Sequence, residues 1–132
     1  MPHRHILLID DEDDIREVAS ISLEAVGEWR VSAASGGRDG IAQAIAGQPE
    51  VILCDVMMPG IDGPATVGLL KDDPRTAGIP VILLTARVQS TDHLGFDLLD
   101  VIGVIPKPFD PMALSGQVEA LFEAAQESGT TS

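Results

Sequence analysis

Four apolar runs, residues 6–9, 51–54, 79–84 and 101–105, are each followed at once or nearly at once by a polar group able to do chemistry. The first leads to Asp10-Asp11, the second to Asp55, the third to Thr85 and the last, after Pro106, to Lys107. Three carboxylates brought together repel one another, and at neutral pH they either share protons or hold a cation. A hard divalent ion with oxygen ligands is the economical answer, and Mg2+ keeps several of its waters in such sites. One such ion, one ammonium and one hydroxyl suit the equatorial oxygens of a transferring phosphoryl group. The acceptor would be a carboxylate, forming an acyl phosphate. Asp55 is the central candidate, because a turn-rich stretch, Pro59-Gly60-Ile61-Asp62-Gly63, leaves room beyond it.

Each residue has a plainer reading when taken alone. Asp10-Asp11 can be a helix cap in a solvated acidic run, Thr85 a turn hydroxyl, and Lys107 a surface lysine in a Pro-rich turn. Asp55 is harder to dismiss, since a carboxylate directly behind four apolar residues needs a partner. Agreement among four strand ends carries the joint reading. Glycine-rich phosphate loops are absent, and His3, His5 and His93 make no metal-binding pattern. His3 and His5 are expected at the surface near the terminus, and His93 on a helix surface.

The elements that would position these groups alternate regularly. A strand at 6–9 precedes a helix reaching about Val26, with Ile15, Val18, Ala19, Ser22, Leu23 and Val26 as its inner face and Gly27 as its stop. A weaker strand, Arg30–Ala34, and a turn at Gly36-Gly37 lead to a helix over 39–46, with Ile41, Ala42 and Ile45 inward and Gly47 ending it. The third strand, 51–54, is followed by a helix over 64–70, with Pro64 in its first turn where proline costs least. The fourth strand, 79–84, precedes a poor helix near 90–99 that Gly95 interrupts. The fifth strand, 101–105, precedes a helix over 111–125 capped by Asp110, with Met112, Leu114, Val118, Leu121 and Phe122 available for burial. Residues 126–132 are polar and expected to fray. Strand–helix alternation repeated five times implies a mostly parallel sheet with helices on both faces. Every strand then points the same way, and the four strand ends converge on one sheet edge.

At 132 residues the chain suits one domain, read here as residues 1–127 with 128–132 as a flexible tail or the start of a linker. Eight basic against 21 acidic side chains leave a net charge of -13, which argues against direct binding of nucleic acid or an anionic membrane. The single Cys54 rules out an internal disulfide and reads as a small core residue. No stretch has the length of a membrane span and no signal peptide is visible, so the default location is the cytoplasm.

These residues resemble a known family. LLIDDEDD at 7–14, LCDVMMPGIDG at 53–63, LLTA at 83–86 and KPF at 107–109 match the CheY-like receiver domain of two-component response regulators over residues 5–125. The resemblance implies a doubly wound, flavodoxin-like (βα)5 fold, α/β in class, with a five-stranded parallel sheet in order 2-1-3-4-5. It implies that Asp55 accepts a phosphoryl group from a phosphohistidine on a sensor histidine kinase or a histidine phosphotransfer protein. Asp10, Asp11 and Asp55, with the backbone carbonyl of Met57, would hold Mg2+ or Mn2+. Thr85 and Lys107 would contact the phosphoryl group, helped by the backbone N–H of Ala86, and the Lys107–Pro108 bond would be cis. Slow autodephosphorylation would return the domain to rest. A face made by the fourth predicted helix, the fifth strand and the last helix would meet a downstream target or a fused output domain, as a monomer or a weak dimer through that face.

Some positions depart from or vary within the family pattern. Val104 stands where an aromatic ring usually moves with the threonine, and Asp100-Val101 replaces a common small pair. Arg87 flanks the site, at a position that tunes phosphoryl lifetime in this family. Two other readings compete. A phosphate-independent scaffold would fit the odd Val104, although the acceptor and acid pair are intact. A haloacid-dehalogenase-type hydrolase wants a second aspartate where Met57 stands.

Overall fold

The computed structural model describes residues 4–86 and 100–130. Five strands, β1 (His5–Ile9), β2 (Arg30–Ala34), β3 (Val51–Asp55), β4 (Val81–Thr85) and β5 (Gly103–Pro106), form one sheet in the order β2-β1-β3-β4-β5, and every neighbouring pair is parallel. Four helices are present among the described residues: α1 (Asp13–Gly27), α2 (Gly37–Gly47), α3 (Gly63–Asp72) and α4 (Leu114–Thr130). The helix expected near 90–99, together with His93, lies outside the described residues, as do Arg87 and His3.

The strands β3 and β4 are apolar up to their last residues because both of their faces are covered. Alternation along each strand divides the core in two. Ile6, Leu8, Leu53, Ile82, Leu84 and Ile105 pack with Ala19 and Leu23 of α1 and Leu114, Val118 and Phe122 of α4. Leu7, Ile9, Ile52, Cys54 and Leu83 pack on the other face with Ala44 of α2 and Val67 and Leu70 of α3. Strands held from both sides fix where their ends fall, and the register sets Cys54 beside Ile9 and Leu83, and Asp55 beside Leu84.

Gly27 and Gly47 end their helices as expected, and the left-handed turns that follow belong to Glu28 (φ 57°) and Gln48 (φ 48°). Gly27 is small for a packing reason: a Cβ there would lie 1.8 Å from Ser115 Oγ on α4. Other local expectations need correction. Val18 and Val26 of α1 are exposed rather than inward, and Met112 is 73% exposed. With Ile21, Ala25 and Pro111 they line an open apolar groove of about 270 Å3. The inner face of α2 is Gly37, Gly40 and Ala44, whereas Ala42 is exposed and Ile41 and Ile45 are half-buried. Small residues let this helix approach Ile9, which a Cβ on Gly40 would strike. His5 is buried, with Nε2 2.7 Å from Ser32 Oγ, not at the surface. The last helix starts at Leu114 rather than 111, after a turn in which Asp110 Oδ1 accepts the Met112 N–H, and it continues through Thr130 instead of fraying at 126.

Candidate functional site

Strand ends place the chemistry. Asp10 follows β1, and its N–H donates to the Ala34 carbonyl at 3.1 Å, which extends the β1–β2 pairing by one residue. Its Oδ1 accepts the Glu12 N–H at 2.9 Å, and its carbonyl accepts Arg16 Nη1 at 2.7 Å. Arg16 is itself held by Asp13 in the first turn of α1. These bonds bend the chain sharply at the sheet edge and fix the acid pair before the helix begins. Asp55 is the last residue of β3 and is buried. The loop after it closes tightly, with the Gly63 N–H on the Val56 carbonyl at 2.8 Å. A Cβ at Gly63 would sit 2.5 Å from the Asp55 carbonyl oxygen, so the start of α3 comes this close only because the residue is glycine. Asp62 caps that helix by accepting the Ala65 N–H at 2.9 Å.

Thr85 ends β4 fully buried, and its carbonyl accepts the Lys107 N–H at 2.7 Å. The register pairs Thr85 with Pro106, so the hydroxyl residue and the lysine leave the sheet side by side. The Lys107–Pro108 bond is cis, as the resemblance implied. The lysine side chain turns back over the sheet edge and is only 11% exposed. Its ammonium lies 2.9 Å from Asp10 Oδ2, 3.2 Å from Asp55 Oδ1 and 3.3 Å from Glu12 Oε1.

Asp10, Asp11 and Asp55 each offer an oxygen within 4.8 Å of the others, and two of the three side chains are buried. Asp10 Oδ2 is sealed from solvent, and among the described residues it makes no regular hydrogen bond, facing only the ammonium. One lysine cannot neutralise three close carboxylates. An all-oxygen donor set with surplus negative charge and an under-satisfied buried oxygen fits a hard divalent cation of the Mg2+ type.

Burial raises the pKa of Asp55, the Asp10 charge raises it further, and Lys107 opposes both. Burial works against the charge of Lys107, but the Asp10 and then the Asp55 carboxylate outweigh it and leave its pKa raised. The pocket thus holds its ammonium firmly and its acceptor carboxylate reluctantly. Behind it, burial and then the Asp55 charge push the Cys54 thiol up to about 12, which keeps that side chain a neutral core group.

Asp10, Asp11, Asp55, Thr85 and Lys107 therefore share one sheet edge. Ala86 follows Thr85 at the surface of that edge, and the Met57 side chain is 60% exposed in the loop behind Asp55. Val104 is half-buried on the core face that carries Leu83. Sequence reasoning missed Glu12, which reaches the lysine from the rim. Its only signal was its place in a five-residue acidic run, where any member can look like solvated charge.

A parallel sheet with this edge and this donor set defines a class. The chain belongs to the response regulator receiver domain family, whose model matches residues 6–119. It is 41% identical over 117 residues to the DNA-binding dual master transcriptional regulator RpaA of Synechocystis sp., covering 88% of this chain and 48% of that protein. It is 33% identical to the transcriptional regulatory protein CseB of Streptomyces coelicolor, covering 95% of this chain and 52% of that one. The chain thus spans about half the length of these curated relatives. Among solved structures, the chemotaxis protein CheY4 of Vibrio cholerae superposes with a TM-score of 0.84 at 26% identity, covering 91% of this chain and 99% of that one. The signal receiver domain of a signal transduction histidine kinase from Syntrophus aciditrophicus gives a TM-score of 0.80 at 29% identity, covering 92% and 91%.

Proposed function

We propose that this chain is a phosphorylatable signalling receiver in which Asp55 accepts a phosphoryl group from a phosphohistidine on a sensor kinase or phosphotransfer protein. The observation that carries the reading is the buried Lys107 ammonium lying between Asp10 and Asp55 within a cluster of three acids. In the transfer, an Asp55 oxygen attacks phosphorus as the P–N bond to the imidazole breaks, and the nitrogen keeps the electron pair. Lys107 turns from the bare Asp55 carboxylate to a phosphoryl oxygen, and the Thr85 hydroxyl and the Ala86 N–H donate to others. Asp10, Asp11 and Asp55, with the Met57 carbonyl, would hold Mg2+ or Mn2+, and that ion when bound offsets charge on the phosphoryl oxygens. Reversal to rest is hydrolysis: water attacks phosphorus opposite Asp55, the P–O bond to the carboxylate breaks, and inorganic phosphate leaves. The domain thereby assists its own phosphorylation and its own slow dephosphorylation.

The signal is the added charge. A phosphoryl group brings close to two negative charges to the common strand edge. Drawing Thr85 toward it moves the end of β4, and the face of β5 and α4 passes the change to a target or to an attached output domain, in a monomer or a weak dimer; the helix expected near 90–99, also assigned to that face, lies outside the described residues. Val104 has no ring, so the change is not gated by an aromatic side chain at that position. Intact-mass measurement after incubation with acetyl phosphate tests the reading. Wild type with Mg2+ gains one phosphoryl group, whereas wild type with chelator and Asp55→Asn with Mg2+ gain none. Equal gain by wild type and Asp55→Asn would overturn the assignment.

A further inference from the structure

A lysine ammonium has three N–H donors, and three carboxylates stand around that of Lys107. Asp10 and Asp55 are buried and fixed by strand ends, at 2.9 and 3.2 Å. Glu12 is different in kind. It belongs to the loop between β1 and α1, its side chain is 59% exposed, and its contact is the longest at 3.3 Å. The 2.9 Å bond from its N–H to Asp10 Oδ1 fixes its backbone beside the acid pair, so that the side chain reaches the ammonium from the solvent side.

Glu12 Oε1 accepts from the ammonium at 3.3 Å, whereas Asp10 Oδ2 faces it at ion-pair distance without a regular hydrogen bond. When a phosphoryl group arrives, the bare Asp55 carboxylate becomes part of an acyl phosphate and its contact with the ammonium passes to a phosphoryl oxygen, which brings further negative charge beside Glu12. Releasing the buried Asp10 as well would leave it dry and unpartnered, at large cost. Releasing Glu12 returns its carboxylate to water, and exposed ion pairs are worth little. We propose that Glu12 is an exchangeable positioning ligand of Lys107, holding the ammonium at the mouth of the pocket while Asp55 is bare and surrendering it to the incoming phosphoryl group. Its charge also faces any anionic donor at the rim. Both effects act in one direction: Glu12 restrains phosphorylation by anionic donors, and it does so through charge. The inference rests on the receiver reading of the same pocket.

Two small donors make the test. With acetyl phosphate, the Asp55–phosphorus bond forms as the P–O bond to acetate breaks, and acetate leaves with the electron pair. With phosphoramidate the P–N bond breaks, and nitrogen leaves as ammonia with the protons it already carries. Rates of phosphoryl gain are measured by intact mass for wild type, Glu12→Gln and Glu12→Ala at saturating Mg2+, at low and high ionic strength. Both variants should phosphorylate about two- to fivefold faster with acetyl phosphate at low salt, a range set by the strength of exposed ion pairs. The gain should be smaller with the less charged phosphoramidate and should shrink at high salt, where rim charges are screened. Unchanged or slower rates in the variants, or a gain indifferent to donor charge and salt, would overturn the role of Glu12. Failure of wild type to take up a phosphoryl group would remove the receiver reading and this inference with it. A phosphorylated wild type with unaltered variants would remove Glu12 alone.

Discussion

Burial changes what each charged side chain can do. Asp55 and Lys107 exert opposite pulls on each other across 3.2 Å, and the pair is poised for a third charge, a cation or a phosphoryl group, to alter the balance. His5, at the opposite end of β1, shows the same physics without a catalytic role. Burial and the Arg30 charge on β2 lower its pKa, against the Gly47 carbonyl at the end of α2 and the Glu50 charge ahead of β3, which raise it. A histidine whose pKa is lower folded than unfolded binds more protons when unfolded, so stability rises with pH through that region. His5 therefore costs the fold nothing well above pH 6.5 and an increasing amount as pH falls through that value toward its folded pKa. His5→Gln should flatten the fall in melting temperature between pH 7.5 and pH 5.5 while leaving Tm at pH 7.5 within a few degrees of wild type. Parallel pH profiles for the two proteins would show that His5 is not the group responsible.

At the level of elements, the site depends on how closely loops can return to strand ends. Gly63 is the tightest case, because its missing Cβ admits the start of α3 against the Asp55 carbonyl. Gly63→Ala should cost about 2 kcal/mol by forcing the loop outward, and it should slow phosphorylation by displacing Asp55 as well. Urea unfolding and the rate of phosphoryl gain would check the two effects. Full stability with full rate would mean that the loop yields without cost. The sequence foretold the strands and the convergence of their ends because apolar runs bounded by turns leave little else to assume. It foretold helix faces less well. Val18 and Val26 fall on the helical stripe of α1 yet are exposed, on the side of an open groove that Pro111 and Met112 only partly cover. Periodicity shows which residues share a face, not how wide a face its neighbour covers. Gly40 was illegible for the opposite reason: its absent side chain matters only because Ile9 is there to fill the space.

The whole molecule carries a net charge of -13, and part of that excess is concentrated at the sheet edge that holds the acid cluster. Self-repulsion of that size works against the compact state and is screened by salt. Added NaCl should raise Tm by a few degrees in metal-free buffer, and Mg2+ at matched ionic strength should raise it further in wild type but not in Asp11→Asn, because only a bound ion stabilises by mass action. Identical response of the two proteins to Mg2+ would place the ion elsewhere. No helix among the described residues is long and apolar enough to cross a membrane. The chain matches about half of each curated relative reported above.

The most direct test of the account is to locate the phosphoryl group. Acyl phosphates are reduced by borohydride to the alcohol, so wild type treated with acetyl phosphate and Mg2+, then reduced and digested, should yield the peptide containing residue 55 with homoserine in place of aspartate. Conversion at residue 55, abolished by chelation, is the predicted result. Conversion at any other carboxylate, or none despite a gain of phosphoryl mass, would contradict it.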